Sequence, residues 1–218
     1  MPARAAIVVA AGSSERFGGD KMMIKIAGRP LVAHTVLALI DHVDTCVLVC
    51  RDDQVEDLAA AGLDARIVVG GVTRTASEMA GLGAVDAGAD LIGIHDGARP
   101  LVSGELIERL FRTAAEVGGA VPVLYPEATL IERETLDVVD AAVVQTPQVF
   151  RGGVLASAYV EAAKAGFVGH DTVDIVQQHS NLEIATVPGE ASNLKVTHPA
   201  DLELVRQRLT GPSHSEPR

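Results

Sequence analysis

The chain has 218 residues, of which 48% are hydrophobic and 22% charged, with a formal net charge of −11. At about 100–200 residues per domain and with no break in composition, one domain with a sizeable core is expected, and this apolar content rules out intrinsic disorder over most of the chain. The acidic balance opposes non-specific binding to nucleic acid or anionic membranes, and aromatics at 3% with no Trp supply few platforms for stacking single-stranded bases.

The charge is unevenly placed. Residues 1–30 hold Arg4, Arg16, Lys21, Lys25 and Arg29 against Glu15 and Asp20, a net +3, so the other 188 residues carry −14. A cationic site on an acidic protein fits a small anionic ligand, although a few surface cations near a terminus would give the same count. Residues 1–12 imitate a short signal peptide, but the apolar run enters a glycine turn and a basic segment, so it reads as a first strand. No stretch approaches the ~20 apolar residues of a membrane span, and a cytoplasmic protein is expected.

Short β-branched runs at 6–10, 45–50, 65–69 and 90–95 predict strands, and helical spacing predicts helices over 30–41, 54–61 and 73–87. This βαβ alternation implies parallel pairing with right-handed crossovers, in a sheet covered on both faces. A helix over 103–117 with Ser103 as its cap and a strand over 119–124 follow. From Tyr125 the pattern changes: β-rich pieces at 128–132 and 137–144, parted by a polar turn, predict a small arm. A helix over 151–165, a strand over 182–187 and a helix over 199–209 complete the domain, and residues 211–218 read as a loose tail. The only cysteines, Cys46 and Cys50, fall on one face of a strand at period two; without a second ligand pair at zinc spacing they read as buried thiols.

Three segments have the residue types for chemistry on phosphates. Ala10-Ala11-Gly12-Ser13 follows the first strand, where open α/β sheets bind ligands, and small residues there let main-chain N–H groups approach a phosphate. Arg16 and Lys21 add charge where a leaving pyrophosphate accumulates it. Neither a P-loop nor a dinucleotide fingerprint is present, so a plain surface turn remains an alternative. His95-Asp96-Gly97-Ala-Arg99 closes another apolar strand; Asp96 suits Mg²⁺ shared with triphosphate oxygens, or else an ion pair with Arg99. His95 reads as a hydrogen-bonded core histidine. Lys195, between Leu194 and Val196, could point into a cleft or sit exposed at an edge. Gly70-Gly71 with Arg74 and Ser77 opens a helix and could meet a base or ribose.

In their order, Ala10-Ala11-Gly12 with Arg16 and Lys21, Gly70-Gly71 with Arg74 and Ser77, His95 to Pro100, Gln145-Thr-Pro-Gln148, His170-Asp171 and Asn193 to Thr197 resemble the 2-C-methyl-D-erythritol 4-phosphate cytidylyltransferase family over residues 5–209. The resemblance implies a Rossmann-like nucleotidyltransferase fold, three-layer α/β/α with a mostly parallel sheet and a small β-arm at about 125–146. It also implies a homodimer through that arm, and Mg²⁺-dependent reaction of CTP with a sugar-alcohol phosphate. Carried over, Arg16, Lys21 and Lys195 are catalytic, with Lys195 also positioning the attacking phosphate. Ala10, Ala11, Gly12, Ser13, Gly71, Arg74, Ser77, Asp96 and Gly97 bind the nucleotide, Asp96 faces the metal, and Asp96, Arg99 and Thr129 join Lys195 on the second substrate.

The chain departs from the resemblance in places. Val138 stands where the family has an arginine for the substrate phosphate, and Arg133 is the candidate replacement. Val72 replaces a common acidic residue near the cytosine. A cytidylyltransferase for another alditol phosphate, such as ribitol 5-phosphate, and a non-catalytic nucleotide sensor are the competing readings. An NAD-binding oxidoreductase lacks its fingerprint.

Overall fold

In a computed structural model, which describes residues 1–127, 130–131, 134–135 and 137–211, the chain begins with β1 (Arg4–Val9). Period two divides this strand: Ala6 and Val8 face one core cluster and Ala5 and Ile7 the other. A strand buried on both faces can be wholly apolar. After two short turns come the hairpin β2 (Lys25–Ile26) and β3 (Arg29–Pro30), then α1 (Leu31–Ile40), β4 (Thr45–Cys50), α2 (Val55–Ala60), β5 (Arg66–Val69), α3 (Arg74–Leu82) and β6 (Leu91–Asp96).

Next is α4 (Gly104–Val117), whose start is set by Ser103: its Oγ accepts from the Leu106 N–H at 3.0 Å. Leu106, Ile107, Leu110, Phe111 and Ala114 fall on one helical face and are all buried. Each large side chain contributes about 1.5–3 kcal/mol by leaving water, and Phe111→Ala would cost about 3–5 kcal/mol. The helix stops at Gly118, whose φ of 130° a side chain would strain. Then follow β7 (Gly119–Leu124), β8 (Leu130–Ile131), β9 (Val138–Val139), β10 (Val143–Val144), β11 (Gln148–Arg151), α5 (Gly152–Ala165), α6 (Thr172–His179), β12 (Ile184–Pro188) and α7 (Pro199–Thr210).

The main sheet runs β10-β7-β11-β6-β1-β4-β5, with β12 also paired to β7. Pairs β1–β4, β1–β6, β4–β5 and β7–β12 are parallel, whereas β11 is antiparallel to both β6 and β7. One core layer holds residues of α1, α2, α4 and α7, the other residues of α5 and α6, so the expected three-layer α/β architecture is present. Register decides where the chemistry lies. Val9 is level with Val49 on one side and Asp96 on the other, so the segments leaving β1, β4 and β6 emerge at one rim. Because β11 runs the opposite way, with Gln148 beside Ile94, its entry segment Gln145–Pro147 reaches the same rim.

Cys46 and Cys50 are free and buried on one face, and burial pushes the Cys46 thiol up to about 12. Among the described residues no helix is long and apolar enough to cross a membrane.

The structure corrects the sequence reading in five places, the first being α3, which ends at Leu82 where the spacing predicted helix to 87. The hairpin at 25–30 was not anticipated. The Thr-Pro-Gln segment leads into a central strand, β11, because Val149 and Phe150 are buried between the sheet's layers. A helix, α6, follows Asp171, whose Oδ1 accepts from the Asp174 N–H. In the arm, β8 and β9 pair as a hairpin, Leu130 with Val139, but β10 leaves it to join β7 in the main sheet. Thr129 and Arg133 lie outside the described residues.

Candidate active site

The loop after β1 is shaped by two left-handed residues, Ser14 (φ 57°) and Gly18 (φ 80°), on either side of a single turn of 3-10 helix. Its far end is tied to the neighbouring unit. Asp20 accepts from Arg51 Nη2 at 2.7 Å and from Gln54 Nε2 at 2.8 and 3.0 Å. The next residue, Lys21, is only 8% exposed. Burial, then the charges of Lys195 and Arg16, holds its ammonium below the ordinary lysine value. Arg16 and Lys195 are therefore both in electrostatic reach of Lys21.

At the end of β6, Asp96 is surrounded by cations. Arg74 Nη1 lies 2.7 Å from Oδ1, and Lys195 Nζ and Arg99 Nε lie 3.0 and 3.3 Å from Oδ2. Burial alone would raise its pKa, yet Arg74, then Lys195 and Arg99, pull it well below the usual carboxylate range. Behind it, His95 Nε2 is 3.1 Å from the Arg99 carbonyl, which only accepts, so Nε2 holds the proton and Nδ1 accepts from Thr146 Oγ1 at 3.0 Å. The same Thr146 oxygen accepts from the Asp96 N–H at 3.0 Å. Burial lowers the imidazole to about 4, so His95 is a neutral brace, as its sequence context implied.

Lys195 is brought to Asp96 by backbone stitching. Arg99 Nη1 donates to the Asn193 carbonyl at 2.7 Å, Asn193 Nδ2 to the Thr146 carbonyl at 2.8 Å, and the Val196 N–H to the Ala98 carbonyl at 2.8 Å. The Gln-Thr-Pro-Gln and Asn-Leu-Lys motifs thus act largely as scaffolding for the β6 rim.

These groups open onto a cavity of about 730 Å³, within the usual range for a small-molecule site. Gly12, Ser13, Arg16 and Lys21 line one part of it, Gly71, Arg74 and Ser77 another, and Asp96, Gly97 and Lys195 the floor between. Gly70 is required by close approach, since a Cβ there would sit 2.5 Å from the Ala11 methyl and 2.8 Å from Ser77 Oγ. Val72 projects fully into the open and also lines the cavity.

Most of the expected site residues, Ala11 included, meet at this cavity. Ala10 and Arg99 do not reach its wall. Ala10 is buried, with its N–H donated to the Val49 carbonyl at 2.7 Å, and Arg99 braces Asp96 from behind. The Ser77 hydroxyl is turned to the backbone, its one proton shared between the carbonyls of Thr73 (3.0 Å) and Gly71 (3.2 Å). Sequence reasoning missed Arg51 and Asp52, although a charged pair following an apolar strand was visible in the sequence and register places it on the cavity wall. It also missed Glu78, whose signal is its spacing of four from Arg74 on a helix. Among the described residues no three His, Cys, Asp or Glu side chains are grouped to hold a metal.

A mostly parallel sheet between helix layers, with cations converging on a rim cavity, defines an α/β nucleotidyltransferase. A crystal structure of a 2-C-methyl-D-erythritol 4-phosphate cytidylyltransferase from Thermus thermophilus superimposes with a TM-score of 0.78 at 32% identity, over 96% of this chain and 98% of that one. The model of the 2-C-methyl-D-erythritol 4-phosphate cytidylyltransferase family matches residues 4–210, and the chain belongs to that family. Relatives so named from Thermobifida fusca and Bacillus velezensis are 37% and 34% identical; the alignments cover 95% and 90% of this chain and 94% and 91% of theirs. Against a bifunctional IspD/IspF enzyme of Rhodopseudomonas palustris, 36% identical over 96% of this chain, the match spans 56% of the relative's length.

Proposed function

We infer that the protein transfers CMP from CTP to 2-C-methyl-D-erythritol 4-phosphate, forming 4-diphosphocytidyl-2-C-methyl-D-erythritol and pyrophosphate in isoprenoid precursor synthesis. The observation that carries this reading is the convergence of Arg16, Lys21, Arg74 and Lys195 on one cavity whose floor is Asp96. A phosphate oxygen of the alditol attacks the α-phosphorus of CTP in line, that oxygen–phosphorus bond forms, and the bond to pyrophosphate breaks. No protein nucleophile is needed, because positioning and charge stabilisation can supply most of the acceleration.

Each side chain has a distinct task. Arg16 and Lys21 meet the charge that builds on the leaving pyrophosphate. Lys195, shared with Asp96 before substrate arrives, orients the attacking phosphate. Backbone N–H groups of the 11–13 loop approach the nucleotide phosphates, and Gly71, Arg74 and Gly97 border the nucleoside. Asp96 would hold Mg²⁺ beside the triphosphate by giving up one of its three cations to it, in keeping with a metal that typically takes only one or two carboxylates beside phosphates and water. When bound, Mg²⁺ supplies neutralisation of the phosphate charge.

A homodimer through the arm is part of the same proposal. Tyr125, Ile131, Val138 and Val143 leave an apolar surface there, each more than half exposed. The arm is also where a second subunit's substrate contacts belong, through Thr129 and Arg133.

Pyrophosphate release from CTP and Mg²⁺ with each alditol phosphate in turn tests the assignment. Release with 2-C-methyl-D-erythritol 4-phosphate supports it. Release with ribitol 5-phosphate alone would transfer the enzyme to that substrate, and CTP binding with no product from either would make it a sensor.

A further inference from the structure

Glu78 has no place in the reaction as drawn, yet it is an acidic side chain only 1% exposed. It lies one helical turn after Arg74 on α3. Its Oε1 accepts from Arg74 Nε at 2.9 Å and from Thr172 Oγ1 at 3.1 Å, and its Oε2 from Tyr159 Oη at 2.7 Å. Arg74 donates through Nη1 to Asp96 Oδ1 at 2.7 Å. One guanidinium therefore bridges two buried carboxylates, one from its own helix and one from β6, while α5 and α6 each send a hydroxyl to hold the first.

Burying a carboxylate disfavours its charged form, and burial is the leading reason that the Glu78 pKa lies above the ordinary glutamate value, with Asp96 adding to it and Arg74, Tyr159 and Thr172 opposing it. A structural core would be served as well by an apolar residue. What the charge does here is constrain Arg74. Arg74 lines the cavity, and among the described residues its Nη2 makes no hydrogen bond. A guanidinium tied only to Asp96 would be free to follow whichever anion competes for it when nucleotide or metal enters. Tied also through Nε, it keeps its direction, and its remaining donors stay at the wall. Fixing a planar fork in advance reduces the ordering lost on binding.

We propose that Glu78, held by Tyr159 and Thr172, is a positioning residue that presets Arg74 as a hydrogen-bond donor to the bound nucleotide. The proposal rests on the nucleotide-binding reading of the cavity and deepens it.

The test is calorimetric titration of CTP into the wild type and into Glu78→Gln, with thermal melting alongside. The amide matches the carboxylate in size but can accept at only one of its two positions, so the melting temperature should fall modestly while the Kd for CTP rises about tenfold, a difference of about 1.4 kcal/mol, and it is the change in Kd that decides. In an Arg74→Gln background the same change at Glu78 should move Kd by less than twofold, since the two residues act as one unit. Tyr159→Phe keeps the packed ring, loses one hydrogen bond to Glu78, and should raise Kd two- to fourfold; it serves as the readout if Glu78→Gln does not fold. A merely structural glutamate would lower the melting temperature and leave Kd alone. Kd within twofold of wild type in the folded variants, or an equal loss with and without Arg74, overturns the positioning role while leaving the function intact. A wild type that does not bind CTP overturns both.

Discussion

Lys195 Nζ lies 3.0 Å from Asp96 Oδ2, which joins the loop before α7 to the end of β6. Asp96 is buried and Lys195 about a third exposed, so the pair has a fixed anion and a cation that can turn to an incoming phosphate. Lys195→Met should therefore lower kcat/KM for the alditol phosphate by about 10²-fold, in the range of lost transition-state donors. The melting temperature should hold, because Asp96 keeps Arg74 and Arg99. Steady-state kinetics with each substrate varied would check this, and an unchanged kcat/KM would remove Lys195 from phosphate positioning.

Lys21 is the most buried of the cations on the cavity wall assigned to the triphosphate. Lys21→Met should reduce kcat by about 10²–10³-fold if its charge meets the leaving pyrophosphate. Its effect on stability has the opposite sign. Burial lowers the folded-state pKa of this base, so the fold disfavours the ammonium and gains stability as pH rises toward the ordinary lysine value. Removing the charge should leave the melting temperature at neutral pH unchanged or raised. A fall in both activity and melting temperature would mean that Lys21 is chiefly structural.

The anchor at Asp20 makes a separate prediction. Its ion pair with Arg51 is partly exposed on both sides and contributes only about 0–1 kcal/mol to stability. Yet it fixes the residue next to Lys21. Arg51→Ala should raise KM for CTP several-fold and shift the melting temperature by little. Equal kinetics for mutant and wild type would show that the loop holds its shape without the tie.

Much of the fold was legible in the sequence because both signals behind it are local. Apolar runs such as Thr45–Cys50 read as strands, and Ser103 with the apolar face of α4 read as a capped helix. What was not legible depends on distant partners. β11 is a strand because β6 and β7 leave a slot between them, and the short polar α6 is held by Asp171 and by burial of Ile175 and Val176. The site followed the same rule. Glycines and cations at strand ends were visible, since only small residues fit a close approach such as that of Gly70 to Ala11. That Arg99 and Ala10 stand behind the wall, and that Glu78 stands beside Arg74, required the third dimension.

Acid stability should report on His95. Its imidazole titrates near 4 in the fold and near 6.5 in the unfolded chain, so the unfolded state takes up the proton first as pH falls. Stability from this group is complete above about 6.5 and is lost between about 6.5 and 4, by about 3 kcal/mol. Asp96, with its pKa depressed, adds a further loss only below the ordinary aspartate value. Denaturant midpoints measured from pH 7 to 4.5 should fall for the wild type and be flatter for His95→Gln. Parallel curves would place the titrating group elsewhere.

The most direct measurement is a crystal structure of the protein with CTP and Mg²⁺. The triphosphate is expected in the cavity floored by Asp96, with the Arg16 guanidinium and the Lys21 ammonium within hydrogen-bond reach of its oxygens and Lys195 facing the α-phosphorus. A nucleotide seated in another cavity, or one whose phosphates touch none of these three side chains, would contradict the assignment of the cations to one reaction.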